Sequence, residues 1–452
     1  MGEARELTLS IEDVDGNTYE EWFGSILKAK SPPSSTTQIH KVPTILKEHK
    51  DDDKYYVPKV VSLGPYHYGK PNLQPVQDFK PLFTNKLVKG NQESLKSLYN
   101  KLAEMVQTLK GYYEDEVKQF SDDEFTRMML LDGCFILYFI EHIFLNNEID
   151  CPGLKSHQIM FVQQDMFLLE NQIPYRVLTE VMKFVPDEFW DFKIKRFIGE
   201  NVLASERRRR GTRKTSPNSV PNHPIPSTVN HLLELLQTRL TKEKSLGPRA
   251  NDRYTFRNVN ELIEVGIRFI PSKTRSIAHI DFFKRGFCAN LELPPITVDD
   301  ATKPMLLNLV AYEMCSNDTN ASWVTSYICL LDSLIDHPED VKVLRKAGIL
   351  DNRLGSDKQV ALLFNELGTD LVPNSFAYSE ARSAIQKHYE SKRNTWASQL
   401  KHEYIKSPWA FVALLVGLVG LFLSGVQAYF SVWSPPSVCD SLCLALKTNH
   451  HL

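Results

Sequence analysis

Residues 410–430 read AFVALLVGLVGLFLSGVQAYF, a run without a single Asp, Glu, Lys, Arg or His. At about 1.5 Å of rise per residue, a helix of this length reaches about 31 Å and can cross the hydrocarbon core of a bilayer once. Its flanks agree with that reading. Ser407 and Pro408 suit an N-cap and a first helical position, where the missing proline N–H costs nothing. Trp409 marks one boundary and Tyr429 with Trp433 the other, as aromatic belts do, and Pro435-Pro436 prevents the helix from continuing. A buried core helix is the competing reading, but uncharged apolar runs of this length favour a span. The expectation is a single-pass transmembrane helix over 409–432 with a short tail over 433–452.

Within that run Ala410, Ala413, Gly417, Gly420, Ser424 and Ala428 recur at spacings of three and four, so they share one side of the helix. Small residues so arranged permit close approach of a second helix, which predicts self-association through this face. Between Lys387 and Lys406 there are five Lys or Arg against two Glu, whereas 433–452 holds one Lys and one Asp. The positive-inside bias places the large body in the cytosol, at the plasma membrane or an endomembrane. Residues 1–30 contain no apolar signal core, and Glu6 stands where myristoylation requires Ser or Thr. Two sequons, at Asn317 and Asn320, would be glycosylated only if the body faced the lumen or exterior.

The remaining chain is polar enough to be a folded body. Of 452 residues 42% are hydrophobic and 24% charged, and the net charge of −2 gives no reason to expect nucleic acid as a partner. Five body cysteines are scattered without paired spacing, which suits reduced thiols. Residues 1–36 form a polar lead-in, 37–406 the body, and the stretch ERRRRGTRKTSPNSVPNHPIP, at about 205–226, a basic, proline-rich loop that cannot bury a core. Apolar spacing predicts helices over about 77–117, from Ser121-Asp122-Asp123-Glu124 onward (a capping-box pattern), from Pro174 toward Phe184, around Leu232–Leu240, over Val259–Val265, and from Lys303 to the membrane, the last from Ser379 to Tyr404. A short strand is expected at Tyr56–Leu63, and a hairpin at Ile277–Phe283 and Phe287–Leu293. The fold class is mainly α with a minor β component (α+β), a large helical body followed by one C-terminal transmembrane helix.

Chemistry-bearing motifs are weak. Gly64-Pro65-Tyr66-His67-Tyr68-Gly69-Lys70 has P-loop spacing, but Pro71 stands where Ser or Thr must hold Mg²⁺, so it reads as a turn. Cys134 could pair with His67 or His142, but sits in an apolar helical run and reads as packing. Asp165 and Glu170 are neighbouring carboxylates, with Glu170-Asn171-Gln172 placed to join two helices. Cys439 and Cys443 with His450 and His451 could supply metal ligands or, for the cysteines, acylation sites, but the tail is short. No catalytic residue, metal site or cofactor is assigned. The leading expectation is a membrane-anchored protein-interaction, recognition or signalling module. The alternative is an enzyme with a pocket near His67, Asp132 and Glu170.

Several segments occur in an order that resembles a known family. They are Ile39–Pro43, Pro58–Gly69, Met128–Leu137, Leu168–Pro174, Thr325–Tyr327, Leu354–Asp357 and Ser407–Trp409. Together they are similar to the plant family called domain of unknown function 247, over about 39–430. The resemblance implies a plant protein with a mainly helical domain and a C-terminal membrane helix. Some members are associated with self-incompatibility in grasses, which implies recognition or signalling, and the family brings no assigned reaction. Tyr68 stands where the family often has a second His, and Gln164 where Arg commonly precedes the Asp, so neither a His pair nor that Arg–Asp pair carries over.

Overall fold

The helix Asp122–Tyr138 starts where its sequence says it should. Ser121 Oγ accepts from Glu124 N at 3.2 Å, while Glu124 Oε2 accepts from Ser121 N at 3.0 Å, so two otherwise orphaned N–H groups satisfy each other's residues. The computed structural model describes residues 37–47, 53–146, 154–185, 189–201, 228–241, 257–285, 288–316, 322–390, 408–433 and 438–448, together with 23–24, 26–28 and 225. The lead-in therefore lies almost wholly outside the described residues. So do nearly all of the 205–226 loop, the sequon residues Asn317 and Asn320, Ser407, and His450 with His451.

In chain order the helices of the N-terminal half are α1 (Lys80–Leu87), α2 (Gln92–Glu104), α3 (Asp122–Tyr138), α4 (Ser156–Asp165), α5 (Tyr175–Phe184), α6 (Trp190–Asn201) and α7 (Leu232–Thr241). They are followed by α8 (Val259–Glu264), the strands β1 (Ile267–Pro271), β2 (Asp281–Arg285), β3 (Cys288–Leu293) and β4 (Ile296–Val298), and α9 (Thr302–Cys315). Next come α10 (Trp323–Leu334), α11 (Pro338–Ala347), β5 (Leu350–Asn352), α12 (Asp357–Gly368), α13 (Ser379–Tyr389), α14 (Pro408–Val432) and α15 (Val438–Thr448). Shorter helical turns lie between some of them, and a π-helical turn, Phe139–Leu145, extends α3.

The body is mostly helical with a small sheet component, as expected. α3 is its axis: α1, α2 and α5 pack on it, and Phe125, Met129, Cys134, Phe135, Leu137 and Phe139 are fully buried. Each such side chain contributes about 1.5–3 kcal/mol relative to leaving it in water. α5 comes close because Gly133 lets it: a Cβ there would lie 2.9 Å from Val177 Cγ1 and 3.1 Å from Val181 Cγ2. On the C-terminal side α12 packs against α10 and α11, and α7 touches both α9 and α10, so one apolar cluster runs from Ile39 to Ile385.

β2 and β3 form the expected antiparallel hairpin, though β2 begins at Asp281 rather than Ile277. β1 adds in parallel to β3, with Ile267 opposite Ala289 and Phe269 opposite Leu291, and β4 pairs in parallel with β5. The parallel partners escaped the sequence reading because each is three to five residues long and its partner lies far along the chain.

The 77–117 region is helical as expected and is divided into several helices, with Lys89 (φ 53) and Gly90 (φ 71) turning the chain where Asn91 caps α2. One further expectation is corrected. Tyr56–Leu63 is not a strand: its backbone N–H groups from Lys59 onward pair with side chains instead of a neighbouring strand, as set out below. Gly64, which ends it, has φ +71, and a Cβ there would stand 2.6 Å from the Gln172 carbonyl oxygen. A Gly64→Ala variant is expected to lose at least about 2 kcal/mol of stability, because strain and a backbone clash coincide. Denaturant unfolding of the full chain in detergent measures this, and an unchanged midpoint would show that the turn yields freely.

Candidate functional site: a side-chain clamp around residues 59–70

The segments that looked most informative in sequence converge in space. The chain from Lys59 to Gly64 is buried from Val60 onward and pairs with no strand, and buried N–H groups without partners cost about 1–3 kcal/mol each. Asp165, at the end of α4, takes three of them: Lys59 N to Oδ1 at 2.9 Å, and Val60 N and Val61 N to Oδ2 at 2.7 and 2.9 Å. Asn171 takes Leu63 N at 2.7 Å and returns its amide to the carbonyls of Val61 and Asp165. Asp132, from α3, takes Gly64 N at 2.7 Å.

Lys80 completes the arrangement. It is 0% exposed, pairs with the 1%-exposed Asp132, and donates to the Ser62 carbonyl at 2.5 Å. Burial lowers the Lys80 pKa and raises that of Asp132, each offset by the charge of the other. Burial also pushes the Asp165 carboxyl up to about 6, against its three N–H donors.

The loop between α4 and α5 is held from every side. Gln172 donates to the carbonyls of Met166 and Leu168, accepts from Leu233 N at 3.1 Å, and its own carbonyl accepts from Tyr113 at 3.1 Å. Asn308 of α9 accepts Leu169 N at 2.8 Å and donates to the Tyr55 carbonyl. Glu170 accepts Val42 N at 2.9 Å and Lys47 Nζ at 2.6 Å, which ties down the segment before the clamp.

Of the three residues named for a possible enzyme pocket, the structure joins two. His67 Nε2 lies 3.6 Å from Glu170 Oε2, whereas Asp132 is committed to Lys80 and Gly64. Lys70 Nζ sits 2.8 Å from His67 Nδ1. An ammonium has only donors, so Nδ1 accepts and the ring proton belongs on Nε2, facing Glu170. Burial, and then the Lys70 charge, lowers the His67 pKa to about 4, against the pull of Glu170. The imidazole nitrogen that a general base would use is thus occupied by a cation, and its basicity is low. The groove of about 460 Å³ between α2 and α3 lies elsewhere, lined by Leu95, Lys96, Tyr99, Asn100, Arg127, Leu130 and Leu131. This geometry holds backbone; it does not assemble a dyad beside that groove.

Other singled-out residues read as packing or surface. Cys134 is buried and its thiol pushed up to about 12, which makes it inert. Gly64–Lys70 is a turn, with Tyr68 N donating to the Pro65 carbonyl. Ala413, Gly417, Gly420, Ser424 and Ala428 are exposed on α14, and the Ala410 side chain lies outside what is described.

Sequence reasoning missed Lys80 and Asn308. The signal for Lys80 was present: Lys80, Phe83, Thr84 and Leu87 are the buried residues of α1, so a lysine occupies an apolar i, i+3, i+4, i+7 stripe. Lys80→Met alone, which strands a buried carboxylate, is expected to cost about 3–5 kcal/mol. Lys80→Met with Asp132→Asn should recover part of that loss, since an amide oxygen still accepts Gly64 N. Unfolding curves of both variants test this; equal losses would mean that the stranded carboxylate charge is not the source of the cost.

Residues 39–423 match the family described as a plant protein of unknown function, domain of unknown function 247. Two relatives come from Arabidopsis thaliana. The "UPF0481 protein At3g47200" is 25% identical over 421 residues, 84% of this chain and 83% of that protein. The "Putative UPF0481 protein At3g02645" is 22% identical over 490 residues, 88% of this chain and 91% of that protein. No solved structure matches. The matched span contains the whole clamp, from Ile39 through Asn308, and the chain belongs to the plant family of domain of unknown function 247.

Proposed function

We propose that this plant protein is a single-pass, membrane-anchored interaction module, whose helical body presents a binding surface and whose α14 crosses a bilayer. The observation that carries this reading is a contrast between two helices of similar apolarity. Asp122–Leu145 and Leu415–Val432 are both long and apolar enough to cross a membrane, yet 72% of the first is buried in the body and none of the second. Leu421, Phe422 and Leu423 of α14 stand 73%, 71% and 58% exposed. A soluble protein would leave that much contiguous apolar surface in water at great cost, whereas lipid covers it without one. The commitment of Asp132, Asp165 and Glu170 to backbone and lysine partners supports binding over catalysis.

The anchor has a direct test. The full chain expressed in plant cells should stay in the membrane pellet after alkaline carbonate extraction, and a chain lacking 408–432 should be released. Release of both would remove the anchor. Orientation follows from the same material: with the body cytosolic, protease digests it in intact vesicles and glycosidase produces no mobility shift. A shift lost in Asn317→Gln and Asn320→Gln would put the body outside or in a lumen.

Self-association belongs to the same reading. Gly417 and Gly420 have nothing within 4 Å of an added Cβ, so a neighbouring helix has room to approach their side of α14. Gly417→Ile with Gly420→Ile is expected to abolish association in a membrane two-hybrid assay. An unchanged signal would move the contact off this face.

A further inference from the structure

Beyond α14 the chain forms a second C-terminal helix, α15, which the sequence reading treated only as a tail. At 100° per residue, Cys439, Leu442, Cys443, Ala445 and Leu446 fall within an arc of about 160°. Asp440, Ser441 and Lys447 lie on the other side, together with Leu444 as the one misplaced leucine. Leu442 and Leu446 are 59% and 60% exposed, so the body of this chain does not cover the apolar side.

The sequence itself limits what can cover it. Trp433 ends the aromatic boundary of α14, and Val438 begins α15 only five residues later. Even fully extended, that connection reaches about 17 Å. If α14 spans a bilayer, the start of α15 stays within about 17 Å of where α14 leaves the hydrocarbon, at the same membrane surface. An amphipathic helix held there buries its apolar side at the boundary between headgroups and acyl chains. Tethering supplies the effective concentration that so short a helix would lack by itself. Asp440 and Lys447 cancel in charge, so the partner chemistry is the apolar interface rather than anionic headgroups.

We infer that α15 is an interfacial helix that lies along the membrane surface, with Leu442 and Leu446 inserted and Asp440 and Lys447 facing water. The inference rests on the anchor reading and would give the molecule an L-shaped membrane attachment rather than a free tail.

The test uses the full chain reconstituted into vesicles of phosphatidylcholine alone. Flotation comes first: if the protein does not float with the vesicles, the anchor fails and the interfacial helix with it. An environment-sensitive thiol probe is then attached to Cys439 in a Cys443→Ser background, or at Leu444→Cys with Cys439→Ser and Cys443→Ser. Labelling of the Cys439→Ser, Cys443→Ser chain serves as the blank. At Cys439 the expected result is quenching by shallow nitroxide lipids at least about threefold stronger than at Leu444→Cys, and the reverse order with aqueous iodide. Leu442→Glu with Leu446→Glu should make the Cys439 probe iodide-accessible while the protein still floats. Floating protein with equal iodide quenching at both positions would overturn the inference and leave the anchor standing. So would shielding of both positions from both quenchers, which would place α15 against protein.

Discussion

Much of the N-terminal half of the body is organised around how the chain from Lys59 to Gly64, buried from Val60 onward, has its N–H groups satisfied without a neighbouring strand. A strand in a sheet has its N–H groups satisfied by another backbone. Here the partners are side chains: Asp165 for three groups, Asn171 for one and Asp132 for one. Because these side chains belong to α4, the loop after it and α3, satisfying the segment also fixes those elements against one another. Lys80 adds α1 to the same assembly by neutralising Asp132 and taking the Ser62 carbonyl. Several elements thus share one set of hydrogen bonds, and loss of one leaves another buried group unpaired.

This clamp also explains why charged groups in the interior carry so little chemical promise. A carboxylate receiving three N–H groups has few lone pairs left to accept a substrate proton. The pattern recurs away from the clamp: Glu313 accepts Val324 N, Thr325 N and the Thr325 hydroxyl at the start of α10, and Asp340 accepts Asp336 N and His337 N ahead of α11. Asp165, Glu313 and Asp340 thus serve to satisfy backbone N–H groups of loops and helix starts. His67 is the exception in kind, since it holds no backbone N–H, but Lys70 on Nδ1 and a pKa near 4 leave it a neutral ring in a crowded turn.

The two long apolar helices show how context sorts similar sequences. α3 carries Asp132 within its apolar run, and that one polar residue has a lysine and a backbone amide waiting for it; the helix is a core. α14 carries no ionisable side chain except Tyr429, and its described side chains, apart from the half-buried Val426, are exposed. Apolar character is therefore common to both, and what differs is whether the rest of the chain supplies a covering layer.

Local signals were legible. The Ser121–Glu124 cap, the α5 start after Pro174, the buried face of α7, the β2–β3 hairpin and the apolar identity of α14 all follow from spacing and capping chemistry that neighbouring residues determine by themselves. Asp132 and Glu170 could be singled out from sequence as polar residues among apolar neighbours, and His67 as the titratable side chain of the Gly64–Lys70 turn. Lys70 lies three residues from His67 in the same turn, whereas the partners of Asp132 and Glu170 could not be singled out, because Lys80 and Lys47 meet them only when separate elements pack. The same holds for β1 and the β4–β5 pair, which exist only when distant segments come into register, and for Lys59–Gly64, whose β-branched residues read as a strand while its hydrogen bonds went to side chains. Sequence by itself determined which segments must be helical or apolar, since those are properties of periodicity along one chain. The tertiary structure alone decided which polar group answers which, since burial makes an unpaired donor or charge costly only once the surrounding elements have closed over it.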